Sequence, residues 1–112
     1  MMIMKNKINT RKTGKPVYRQ LEEVIGCKWS VSVLKAVADN VTRPGKLESH
    51  IEGISKKVLS ERLRKLTDYG LLKKHAYAEV PPRTEYSLTE NGRKLMLIIE
   101  QVKTLDMNIK NA

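Results

Sequence analysis

Lys57, Ser60, Glu61, Arg64 and Lys65 recur at helical spacing, with Lys56 just ahead of them. Side chains at such intervals point to one side of a helix. Cations arrayed this way can neutralise phosphates and release condensed counterions. Arg64 or Lys57 could also donate to guanine in a major groove, and Glu61 could accept from cytosine. A plainer reading stays open for each: a solvated helical face, with Glu61 tethering Lys57 or Lys65 at i±4.

A second candidate is the run PPRTEYSLTENG, residues 81–92. Pro81 and Pro82 have fixed φ, so Arg83 behind them sits on a stiff connection. Less entropy is then lost when Arg83 meets phosphates or a narrow minor groove. The alternative is a solvated turn arginine. A third is Cys27, beside Lys28 at a helix start. A cation and a helix start both lower a thiol's pKa, which would make Cys27 a possible redox residue. An isolated cysteine heading a core helix is more often a small filler. His50, His75 and Cys27 make neither metal-ligand spacing nor a nucleophile–base pair. The expectation is therefore no enzyme, no metal and no cofactor.

Composition agrees with a polyanionic partner. Lys and Arg number 22 against 12 Asp and Glu, a formal net charge of +10. A surplus of this size suggests nucleic acid, or less often an anionic membrane. The length suits one domain. No apolar run reaches the roughly 18–20 residues of a membrane span, and the opening MMIMKNKINTRKTG has too short an apolar patch for a signal peptide. One cysteine allows no internal disulfide, which suits a reducing cytoplasm.

Several elements must position these residues. Residues 1–14 read as a basic arm, residues 15–107 as the folded domain and 108–112 as a tail. Pro16 can open a first helix, with Val17, Leu21, Val24 and Ile25 on one side and Gly26 as its stop. A second helix spans about Lys28–Ala38, and its apolar residues cover enough of its girth to make it central. A short helix is expected at about Lys46–Ile51, with Leu47 and Ile51 inward. After the Gly53 turn, Ser55 caps a helix running to about Asp68, and Gly70 ends it. Short helix, glycine turn and capped helix make a helix-turn-helix layout. LLKKHAYA and RTEYSLT then read as two strands, with Thr84, Tyr86 and Leu88 on one side and the prolines in the connection. The last helix starts at the Thr89 cap. Its Leu95, Ile98, Ile99, Val102 and Leu105 present more apolar surface than a small sheet would cover, which marks a subunit contact. Packing on the first helix of the same chain is the alternative.

In combination, IGCKW, RPGKLESHIEGISKKVLSERLRKLTDYGLL and EVPPRTEYSLTENG resemble the HxlR-type winged helix-turn-helix regulators of bacteria and archaea. The likeness covers about residues 15–100. It implies an α+β, mostly α fold: a winged helix-turn-helix with a two- to three-stranded antiparallel wing and a C-terminal dimerisation helix. It also implies a homodimeric, sequence-specific transcription factor for double-stranded DNA. The recognition helix would enter the major groove, and the wing would reach the backbone or minor groove. Carried over, Ser55, Lys56, Lys57, Ser60 and Arg64 belong to the recognition helix, Arg83 to the wing, and Arg43 precedes the short helix. First and last helices would form the dimer contact, through Val17 and Leu21 with Leu95, Ile98, Ile99, Val102 and Leu105. A small-molecule effector is a possible further partner; a membrane is not expected.

Four positions depart from the family pattern. Pro44 stands where phenylalanine is frequent, which weighs against a short strand at 41–43. Lys15 occupies the place of a cysteine that senses oxidants or electrophiles in some members. Cys27 fills a position usually held by glycine, so that sensing role is not carried over. Thr84 replaces the usual valine, a mild change. The competing function is non-specific nucleic-acid binding, architectural or to RNA.

Overall fold

The computed structural model describes residues 14–112. Most of the expected basic arm, residues 1–13, lies outside the described residues. The elements in chain order are α1 (Val17–Ile25), α2 (Lys28–Ala38), α3 (Pro44–His50), α4 (Lys56–Asp68), β1 (Leu72–Tyr77), β2 (Arg83–Leu88) and α5 (Glu90–Lys110). This is the expected mostly helical winged helix-turn-helix. No described helix is long and apolar enough to cross a membrane.

The core gathers around α2, which packs against α1, α3, α4, α5 and β2. Val33 and Leu34 of α2 are completely buried, with Ala36 and Val37 nearly so. Leu47 and Ile51 close the core from the α3 side, and Leu59, Leu63 and Leu66 from α4. The i, i+4, i+7 spacing of these leucines leaves the opposite side of α4 free. At its end, Gly70 takes φ +77, a left-handed conformation that costs a side-chain-bearing residue energy, and the chain turns into β1.

Helix α3 begins at Pro44, two residues earlier than the sequence pattern suggests. Proline has no N–H to lose in a first turn, so it starts this helix rather than merely breaking the chain before it. The same residue limits the sheet. Two strands pair antiparallel, Leu72 opposite Leu88 and Tyr77 opposite Arg83. A third strand is reduced to one backbone bond, in which the Tyr86 N–H donates to the Thr42 carbonyl at 2.9 Å. Two residues further on, Pro44 has no N–H with which to extend the ladder.

The start of α5 is locked to the end of the helix-turn-helix. The Thr89 hydroxyl donates to the Gly70 carbonyl at 2.6 Å and accepts from the Gly92 N–H at 3.0 Å. The Thr89 N–H donates to the Leu71 carbonyl at 3.1 Å. A Cβ at Gly92 would lie 2.1 Å from that same carbonyl oxygen, so only glycine permits this approach.

Candidate nucleic-acid interface

The capped helix α4 displays its cations on a rigid support. The Val58 N–H donates to the Ser55 Oγ at 3.1 Å, which satisfies a first-turn donor. Lys56, Lys57, Ser60 and Arg64 are all exposed. Lys56, Lys57 and Arg64 form no ion pair with another described residue, so their donors are available. Glu61 is half-buried and pairs with neither Lys57 nor Lys65.

Lys65 leaves this face for α1. Its Nζ lies 2.6 Å from a Glu23 carboxylate oxygen, whose partner oxygen accepts from the Tyr69 hydroxyl at 2.7 Å. Lys15 reaches the same carboxylate at 2.5 Å. The hydrogen bond from Lys15, then that from Lys65, hold the Glu23 carboxyl down at about 2, against a smaller opposing effect of burial. Glu23 therefore joins α1 to α4 and fixes the attitude of the basic helix.

A groove of about 360 Å³ runs between α4 and the sheet, bordered by Ser60, Arg64, Asp68, Lys74, Tyr86 and Pro44. Lys74 is the functional candidate that sequence reasoning missed. It stands opposite Tyr86 in the strand register, in phase with buried Leu72, and so on the sheet face nearest α4. The only signal in the sequence was membership of the Lys73–Lys74 pair. LLKKHAYA does not alternate, so which lysine faces the helix was not legible.

The hairpin treats its arginines differently. Arg83 is the first residue of β2, not the loop tip, and Pro81 and Pro82 lie in the connection as expected. By strand phase Arg83 shares the other sheet face with Glu85 and Tyr77. Its guanidinium lies 4.0 Å from the Tyr77 ring centre. Nη2 is 3.1 Å from Glu79 Oε2, and Nη1 is 3.3 Å from Glu85 Oε2. Arg43, the residue before α3, places Nε 3.3 Å from the same Glu85 oxygen.

The apolar candidates divide into buried and displayed groups. Leu95 and Ile99 are 3% and 4% exposed and belong to the chain's own core. Ile98, Val102 and Leu105 are 47%, 47% and 57% exposed, and Ile109 continues their i, i+4, i+7, i+11 line. Val17 and Leu21 are half-buried and face Leu95 and Ile98 across a groove of about 270 Å³ between α1 and α5.

Cys27 is half-buried and precedes α2. Burial acts to raise its thiol pKa. Hydrogen bonds from the Ser30 hydroxyl and the Ser30 and Trp29 backbone N–H groups, with the Arg62 charge, outweigh it and hold the thiol below its ordinary value. Lys28 instead lies over the Trp29 ring at 4.9 Å. Among the described residues no group of His, Cys, Asp and Glu is arranged to hold a metal ion.

A family profile described as HxlR-like helix-turn-helix matches residues 24–112. Over 77 residues the chain is 38% identical to an uncharacterized HTH-type transcriptional regulator of Synechocystis sp., covering 69% of this chain but only 57% of that protein. It is 36% identical to the uncharacterized HTH-type transcriptional regulator YybR of Bacillus subtilis over 102 residues, covering 91% of this chain and 81% of that one. A solved structure described as a transcriptional regulator of the MarR family from Enterococcus faecalis V583 superposes with a TM-score of 0.76. That pair is 28% identical and covers 96% of each chain.

Proposed function

This chain belongs to the HxlR-like helix-turn-helix family, and on that premise we propose that it is a sequence-specific regulator of transcription that binds double-stranded DNA as a homodimer. Helix α4 enters the major groove, and the hairpin lies against the adjacent backbone or minor groove. The observation that carries this reading is the set of exposed cations on the outer face of a capped, well-supported helix: Lys56, Lys57 and Arg64, with Ser60 between them. Arg64 can read a base edge through two donors, while the lysines meet phosphates as point charges. Lys74 adds a cation from the sheet side of the same groove.

Two features support pairing of copies. Ile98, Val102 and Leu105 form an apolar line that no other described residue covers, and Val17 and Leu21 flank its beginning. A two-fold assembly then presents two α4 helices to two half-sites about one helical turn, or a small multiple, apart.

In vitro selection of bound duplexes tests the reading, with sedimentation to give the assembly state. The expected result is a two-fold symmetric site bound by a dimer, and a Val102→Glu, Leu105→Glu variant that sediments as monomer and binds more weakly. Recovery of no preferred duplex by a monomeric wild-type chain favours non-specific binding instead.

A further inference from the structure

We infer that Glu85 restrains the protein's grip on DNA by withholding Arg43 and Arg83 from the phosphates. The inference rests on the DNA-binding reading above and adds a specificity determinant to it. Glu85 stands mid-strand on the outer face of the hairpin, and one of its oxygens, Oε2, is shared by both guanidiniums at 3.3 Å. Glu79 takes a further donor of Arg83 at 3.1 Å. Two guanidiniums and two carboxylates sum to a formal charge of zero. At the loop end of the hairpin these four groups therefore offer a passing polyanion no net charge.

The two arginines are not held alike. Arg83 is committed on three sides: to Glu79, to Glu85 and to the face of Tyr77. Its Nε is buried and meets no acceptor among the described residues, so the side chain is packed down rather than extended. Arg43 has a single tie among the described residues, to Glu85 through Nε, and its side chain is about half exposed. Loss of Glu85 thus frees Arg43 outright and leaves Arg83 half-held by Glu79.

The benefit is discrimination. Phosphate contacts raise affinity for every duplex alike, whereas base contacts separate one from another. Charge-compensated arginines at the loop end of the hairpin lower the common term and leave the α4 face to decide binding. A lone surface ion pair is worth little, but Arg83 must give up two carboxylates and the Tyr77 face before it meets a phosphate.

The test is Glu85→Gln, which keeps shape and removes charge, measured by salt titration on a selected duplex and on mixed-sequence duplex. The expected result is roughly three- to tenfold tighter binding to mixed-sequence DNA at about 0.1 M salt, and a salt slope steeper by about 0.9, the increment of one added phosphate contact. The selected duplex gains less, so the ratio between the two falls. Glu79→Gln with Glu85→Gln steepens the slope about twice as much. In an Arg43→Ala, Arg83→Ala background the Glu85→Gln gain disappears. Unchanged or weaker binding by Glu85→Gln overturns the inference, and so does a gain that survives loss of both arginines, which is then bulk charge. A wild-type chain that retains no duplex of any sequence sinks the DNA reading itself, and this restraint with it.

Discussion

Helix α4 and the loop end of the hairpin carry similar residues and use them in opposite ways. On α4, Lys56, Lys57 and Arg64 stand exposed without carboxylate partners among the described residues. At the loop end of the hairpin, Arg43 and Arg83 share Glu85, and Glu79 takes a further donor of Arg83. Counting basic residues treats these regions as equals. Pairing decides how much of each charge a ligand meets, because a cation already bound to a carboxylate releases few counterions from DNA.

The sharpest way to break this comparison is Arg64→Ala. A bidentate base contact makes its loss cost about 1–3 kcal/mol and relaxes selectivity at one position of the site, as competition between selected and mutated duplexes would read out. If Arg64→Ala weakens every duplex alike, the α4 face is only a phosphate grip and the contrast fails. Glu23→Gln comes next and concerns the support of α4. Its carboxyl sits at about 2, below its ordinary 4.5. The stabilisation is therefore present above about 4.5 and is lost as pH falls toward 2. Removal should lower stability at neutral pH by on the order of 2 kcal/mol, allowing for screening, and the deficit should close in acid. Melting curves of both proteins across that range check it. Ser55→Ala removes the α4 cap and should cost about 1 kcal/mol of unfolding free energy, with duplex binding reduced in step. Smallest of all, Arg83→Ala should weaken binding by less than about 0.5 kcal/mol, within the range of an exposed ion pair. A loss as large as that of Arg64→Ala would show that the hairpin arginine swings free on DNA.

Local structure was readable from sequence wherever a cap or a period marked it. Ser55, Gly70 and Thr89 each bound a helix, and the leucines at 59, 63 and 66 place α4 correctly. Pro44 misled because a proline reads equally as a stop and as a first turn. The divided roles of the cations were not readable at all. Lys65 meets Glu23 and Arg43 meets Glu85 across 42 residues in each case, beyond the reach of any helical or strand period. The apolar positions of α5 likewise look alike in sequence. Leu95 and Ile99 turn to the core while Ile98 and Val102 do not, a split set by where the body of the domain ends.

The joint at Gly92 gives the molecule a ruler. With 21 residues, α5 extends about 30 Å from that joint, so a tilt of one degree there displaces the far end by about half an ångström by this lever length. If a second copy docks along this arm, the distance between the two DNA-reading helices is calibrated where Gly92 touches the Leu71 carbonyl. A bulkier residue at 92 would then change which spacing of operator halves is bound well before it changed which letters are read.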